Sequence, residues 1–238
     1  MNIDESTVGE LVAQDVRAAE IFERYKIDFC CNGHRTLRQA CGDAESAAAV
    51  EAALRDLAGT TGGGENPYLD YRNWPLDLLT DFIEKKLHRE TSGRISMIQA
   101  HLEKICRVHG GKHPELYEIR ELFDKSAGEL SAHMKREELI LFPYIRKTIL
   151  TGKAPGMAFG TVANPIRVLI QEHQDEGERF RQIARLANDY TVPADGCTTY
   201  RLTFQELREF ESMLHFHIHL ENNLLFPRAL ALTETSAS

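Results

Sequence analysis

His133-Met134-Lys135-Arg136-Glu137, followed by Leu141-Phe142-Pro143, has a second copy in His217-Ile218-His219-Leu220-Glu221, followed by Leu225-Phe226-Pro227, at identical internal intervals. Residues four apart stand one above the other on an α-helix, so each copy aims one imidazole and one carboxylate in the same direction. Going 45 and 44 residues upstream lands on His88 and His173 respectively. The chain therefore reads as a duplicated helix hairpin, each copy carrying one bare histidine and one His-x-x-x-Glu pair.

The residues around these motifs define four long helices beyond Trp74-Pro75, at about 75–109, 114–150, 165–189 and 198–231. Gly, Pro and Asn divide them; Pro114 and Pro165 suit first helical positions, and Asn164 suits a cap. Leu116, Ile119, Phe123, Ser126, Leu130, His133, Glu137, Ile140 and Tyr144 follow one three-four stripe. Leu207, Phe210, Leu214, His217, Glu221 and Leu224 repeat it. In both, a histidine and a glutamate replace apolar residues in mid-stripe, and a polar pair at that depth needs partners. His88 shares a stripe with Ile95, Leu102 and Ile105; His173 shares one with Ile166, Leu169 or Ile170, and Phe180.

A single histidine on an apolar stripe reads as a hydrogen-bonded core residue. Four at matching depth, two of them with glutamates, read instead as ligands. His88, His133, His173 and His217 with bridging Glu137 and Glu221 suit two metal ions, with positions left for solvent, oxo or a small ligand. Structural zinc prefers cysteine and tetrahedral closure, so iron is expected, with manganese or zinc behind it. The spacing differs from the His-Glu-x-x-His of zinc proteases.

Other positions serve as controls. His215 and His219 stand about 200° round the helix from His217 and should be solvated or packed at the surface. His101, His109 and His113 fall around a helix C-terminus, where imidazole suits the dipole. Four residues after His88 and His173 come Ser92 and Gly177, which cannot bridge a metal; Gly177 either relieves crowding or opens access beside the metals. Glu172 and Glu176 flank His173 as candidate hydrogen-bond acceptors or proton carriers, with Glu172 retained.

Ahead of the bundle, Thr7-Val8-Gly9-Glu10 is a capping box before Leu11, Val12, Val16, Ala19 and Phe22, which predicts one short helix. A turn-like Asp28-Phe29-Cys30-Cys31-Asn32-Gly33 comes next, then a helix after Asp43 ending near Leu57, with Val50 and Leu54 on one face. Residues 1–58 thus form a small helical domain, 59–73 a flexible Gly-rich linker and 74–238 the bundle, an all-α fold.

A formal charge of -8 argues against a phosphate-backbone binder. No stretch of about 18 apolar residues occurs, and Met1 to Glu10 lacks a signal-type run, so a cytoplasmic protein with no membrane or nucleic-acid partner is expected. Five cysteines are an odd number at low density, which fits a reducing compartment. Adjacent Cys30 and Cys31 have Cα atoms ~3.8 Å apart, below the span of a relaxed disulfide.

Together, Asp28 through Gly33, His133 through Pro143, Glu172-His173, and His217 through Asn223 with its Leu-Phe-Pro make the chain resemble the repair of iron centres family along nearly its whole length. The resemblance implies a hemerythrin-like four-helix bundle with two iron ions, oxo- or hydroxo-bridged when oxidised. By position, the family's histidine ligands fall on His88, His133, His173 and His217, and its bridging carboxylates on Glu137 and Glu221. It further implies a stress protein that binds or reduces nitric oxide and helps restore damaged iron-sulfur clusters, with thiol chemistry at Cys30 and Cys31, iron-sulfur client proteins as partners and a homodimer. Three activities stay open: nitric oxide capture with iron donation, reduction to nitrous oxide, and reversible dioxygen binding. Reduction needs an external electron donor, since no flavin or nicotinamide motif is present. Dioxygen carriage fits less well, because hemerythrins use five histidines.

Overall fold

The structure, a computed structural model, describes residues 3, 5–59, 70–156 and 160–235. Most of the Gly-rich linker expected at 59–73 lies outside the described residues. Helices α1 (Val8–Gln14), α2 (Ala18–Arg24), α3 (Leu37–Cys41) and α4 (Ala44–Gly59) precede that gap. Then come α5 (Leu76–Phe82), α6 (Arg89–His109), α7 (Glu115–Arg136), α8 (Phe142–Thr151), α9 (Ala163–Leu186), α10 (Thr198–Leu220) and α11 (Phe226–Thr235). Single π-helical turns, Ile83–His88, Glu137–Leu141 and Glu221–Leu225, join α5 to α6, α7 to α8 and α10 to α11. The four long helices expected from sequence are thus present, three of them interrupted by a π turn.

Two compact units emerge. One comprises Asp81–Tyr144 and Met157–Leu214 and holds most of the long helices of the bundle; the other comprises Met1–Thr80, Ile145–Gly156 and His215–Ser238.

In the bundle unit, Ile98, Leu102 and Ile105 of α6, Leu116, Ile119 and Phe123 of α7, Phe180 and Ile183 of α9, and Leu207 and Phe210 of α10 are fully buried. Phe123 meets Phe180 and Phe210 edge-on at 6.4 and 5.5 Å, while Phe180 stacks on Phe210 at 5.5 Å. Burying each such ring contributes roughly 1.5–3 kcal/mol, so this aromatic layer anchors the bundle. At similar depth Glu176 accepts from Ser126 and Arg179, and Arg179 also reaches Glu129 at 2.5 Å. Glu176 is therefore part of a buried ion-pair network.

Three local expectations change. The three-four stripe placed Ile140 inside, but it is 37% exposed whereas Leu141 is 1% exposed. The π turn inserts an extra residue and shifts the register by one. Asn164 does not cap α9: the helix starts at Ala163 with Val162 as its cap residue, and Asn164 accepts from Arg167. Pro165 is still tolerated, because N–H groups of the first turn have no intrahelical partner. The third helix ends at Leu186 rather than 189, and Asn188, Asp189 and Tyr190 all take positive φ.

In the other unit, Thr7 and Glu10 form the expected capping box, with Thr7 N–H donating to Glu10 Oε2 at 2.8 Å. The single helix expected there is two. Asp15 ends α1 and turns back to accept from the Arg17 backbone and guanidinium, leaving Val16 36% exposed. Helix α3 was not anticipated, although Thr36 and Gln39 form a second capping box at its start. Asp43 caps the next helix by accepting from Ser46 N–H at 2.7 Å, and Val50 and Leu54 are fully buried as expected. In the same unit, Arg228 donates to the Trp74 carbonyl at 2.8 Å and Tyr71 packs edge-on to Phe216. No helix among the described residues is long and apolar enough to cross a membrane.

Candidate metal centre

His88 ends the first π turn, and Glu137 opens the second. A π turn widens the helix by one residue and often marks a functional site, because it re-aims side chains without ending the helix. Glu137 is 0% exposed, and His88, His133 and His173 are buried. Glu137 Oε2 lies 3.3 Å from His88 Nε2 and 3.4 Å from His133 Nε2. His133 Nε2 lies 3.1 Å from His173 Nε2. Ligand atoms of His133, Glu137 and His173 all fall within 4.8 Å of one another. One carboxylate thus stands between two imidazoles, with a third beside them.

The outer nitrogens of two of these rings are tied. His88 Nδ1 meets Glu138 Oε1 at 3.0 Å, and His133 Nδ1 meets Glu172 Oε2 at 2.8 Å. Glu172 also accepts from Arg136 at 2.6 Å. The hydrogen bond from His133 foremost, against the opposing effect of burial and with help from Arg136, brings the Glu172 carboxyl down to about 2. Burial pushes the Glu138 carboxyl up, but bonds from Lys135 and His88 leave it below the ordinary glutamate range. Ionised carboxylates only accept, so both Nδ1 atoms carry the proton, which in the neutral ring leaves the Nε2 lone pair facing inward. His88 is further held by stacking on Phe142 at 5.7 Å.

These residues fit a metal ion. Two imidazole nitrogens bonded to one ion at about 2.1 Å at right angles stand roughly 3 Å apart, which is the His133–His173 separation. A cation placed between them would take the lone pairs of both nitrogens at that distance. The chemistry of the set, neutral nitrogens around a buried carboxylate, is that of divalent and trivalent first-row metals.

The second copy of the motif lies in the other unit. His217 Nε2 meets Glu221 Oε1 at 2.9 Å, both residues are buried, and Glu221 opens the third π turn. Phe142 and Phe226 N–H donate back to Glu137 and Glu221 carbonyls, five residues behind, so the two copies share backbone geometry as well as sequence.

The control residues divide. His101 pairs with Glu206 at 2.7 Å, and His113 with Asp195 and Glu115, all within the bundle unit. Ser92 donates to the His88 carbonyl, and Gly177 is buried. His219 is a correction: expected at the surface, it is 1% exposed. The back of that helix packs on the N-terminal segment of its own unit, where the His219 ring lies 5.9 Å from Phe29 and Nδ1 accepts from Asn223 at 3.0 Å. Burial brings its pKa down to about 4. His215 is half-buried, 3.7 Å from Glu23.

Sequence reasoning missed Glu138 and the three π turns. A signal for two of the turns was present in each Leu-Phe-Pro, since a proline clashes with the carbonyl four residues back and disfavours a regular α-turn. Glu138 had no such signal.

The fold and these clusters define a hemerythrin-type, metal-binding helical bundle: residues 82–229 match the family described as Hemerythrin HHE cation binding domain. Residues 4–58 match a second family, described as Domain of Unknown function (DUF542). Over 231 residues the chain is 35% identical to the iron-sulfur cluster repair protein YtfE of Musicola paradisiaca, covering 97% of this chain and 98% of that protein. The YtfE proteins of Citrobacter koseri and Escherichia coli O139:H28 are each 34% identical, covering 97% and 94% of this chain and 99% and 96% of those proteins. The chain belongs to the repair of iron centres family.

Proposed function

We propose that His88, His133, His173 and His217, with Glu137 and Glu221 shared between the ions, hold two iron ions. The protein then binds nitric oxide and helps repair damaged iron-sulfur clusters in the cytoplasm by donating iron. The observation that carries the metal reading is the pair of carboxylate-held imidazoles, His88 with Glu138 and His133 with Glu172, both presenting Nε2 toward buried Glu137. The repair reading is supported by relatives named for that activity that match nearly end to end.

When bound, the iron pair supplies two redox-active centres with coordination positions for a diatomic ligand. The protein's own residues do the rest. Glu138 and Glu172 keep the protons on Nδ1 and so hold the rings in a ligating tautomer. Arg136 restrains Glu172, and burial of the set excludes bulk water.

Metal analysis joined to nitric oxide titration of the reduced protein tests the reading, followed by incubation with an iron-sulfur protein whose cluster has been damaged by nitric oxide. The expected result is two irons per chain, a nitrosyl absorption band, and recovery of the client's cluster as this chain loses iron. Two retained zinc ions without a nitrosyl band overturn the metal reading. Retained iron without cluster recovery overturns the repair reading.

A further inference from the structure

The turn Asp28-Phe29-Cys30-Cys31 places three ligand types together, none of them in the histidine and glutamate set. Cys30 Sγ lies 3.8 Å from Cys31 Sγ and 3.4 Å from Asp28 Oδ1. All three groups offer ligand atoms within 4.8 Å of one another. A tetrahedral divalent ion with metal–sulfur bonds of about 2.3 Å spreads two thiolates about 3.8 Å apart. A carboxylate oxygen bonded at about 2.0–2.2 Å then stands roughly 3.5 Å from each sulfur. The Sγ–Sγ separation and the Cys30 Sγ–Asp28 Oδ1 separation match these edges.

We propose that Asp28, Cys30 and Cys31 form a second cation site: three corners of a tetrahedron for one borderline-soft divalent ion, ferrous iron or zinc, with the fourth corner left to solvent or an incoming ligand. Neighbouring residues hold the corners in place. Asp28 Oδ1 accepts from the backbone N–H of Cys31 at 2.9 Å and of Asn32 at 3.3 Å, and Oδ2 accepts from the Asn32 side chain at 2.7 Å. Phe29, 1% exposed, fixes the loop between the ligands. From the same unit, the Asn222 amide donates to the Cys30 carbonyl at 3.2 Å and the Asn223 amide to the Phe29 carbonyl at 3.2 Å. Asn223 fits only because two neighbours lack side chains. A Cβ on Gly9 or Gly33 would stand 2.8 or 2.5 Å from Asn223 Oδ1.

Covalent geometry suits the cysteines to a cation rather than to each other. Adjacent residues are too close for a relaxed disulfide, so both sulfurs remain available as ligands. Binding replaces two S–H protons with one divalent ion and releases both protons, a balance that leaves one net negative charge at the site. The site stands without the iron-donation reading; with it, an iron ion in transit gains a thiolate stop.

Cobalt(II) is the probe, because thiolate ligation gives a charge-transfer absorption that histidine and carboxylate sites lack. Full-length reduced protein, its bundle already loaded with metal, is titrated with cobalt in weak buffer containing a pH indicator. One cobalt per chain, a thiolate band saturating at that ratio and two protons released per ion are expected. Cys31→Ser and Cys30→Ser should weaken binding at least about tenfold, the scale that losing even an outer partner of a metal ligand costs. Asp28→Asn should weaken it while keeping the band, and Cys41→Ser and Cys197→Ser should change nothing. Cys31 is only partly buried, so its variant tests the site even if Cys30→Ser folds poorly. No thiolate band, or a band that survives Cys31→Ser undiminished, overturns the proposal. Nitric oxide titration of the same samples reads the bundle separately, so either site can fail without the other.

Discussion

His88 and His133 ligate through Nε2 only if the proton sits on the outer nitrogen, and for each of them that choice belongs to a carboxylate on another segment. Glu172 illustrates this. Its neighbour in sequence is His173, yet its carboxylate serves His133 on α7, 2.8 Å away. Replacing Glu172 or Glu138 with glutamine keeps the shape and removes the charge that fixes Nδ1–H. Each variant should lose about 10–100-fold in metal affinity, measured by chelator competition, with helical content unchanged. Unchanged affinity would mean the tautomer is set elsewhere. The ligands themselves were legible because four-residue spacing is a property of one helix, and the duplication displayed it twice. Glu138 was not, since its partner His88 lies 50 residues earlier and no local pattern links them.

At the scale of elements, the Leu-Phe-Pro after each His-x-x-x-Glu pair explains why the helix widens where it does. In a regular helix Pro143 would meet the carbonyl of Leu139 and leave it without its N–H partner. The chain instead bonds Phe142 N–H to Glu137, five residues back. Pro143→Ala restores the missing donor and lets the turn relax to α. That removes one residue from the bulge and rotates α8 by about 100° relative to Glu137. Ile140 would then compete with Leu141 for the inside. The expected outcome is retained helicity by circular dichroism with metal affinity reduced by about an order of magnitude, a loss comparable to that of an outer partner of a ligand. Unchanged affinity would show that packing alone holds the π turn. The long helices were readable from their stripes and their Gly and Pro stops. The break at Asp15 was not, because it depends on a side-chain turn inside a stretch whose apolar spacing continues. Helix α3 was missed because it is five residues long with Leu37 as its buried residue, although its Thr36–Gln39 capping box was written in the sequence.

For the whole molecule, contacts distant in sequence decide what the pattern could not. The Asn223 bond to the Phe29 carbonyl joins residues 194 apart, and it places the double-cysteine turn in one unit with the second His-x-x-x-Glu copy. His219, read as a surface residue, is buried for the same reason. Metal should stabilise this arrangement beyond what the apolar core supplies. An ion that binds only the folded state adds about 2.7 kcal/mol when its free concentration is a hundredfold above Kd. In a chain of 238 residues each kcal/mol moves the unfolding midpoint by about 2–4 °C. Two such ions add about 5.4 kcal/mol, so stripping both with a chelator should lower the midpoint by roughly 11–22 °C in calorimetry. The aromatic layer of Phe123, Phe180 and Phe210 does not depend on metal, so the stripped protein should stay helical. In His173→Leu, which trades a ligand for an apolar side chain of similar size, the chelator-induced drop should shrink while the stripped midpoint holds or rises. A full drop in that variant would place the stabilising ions at residues other than His173.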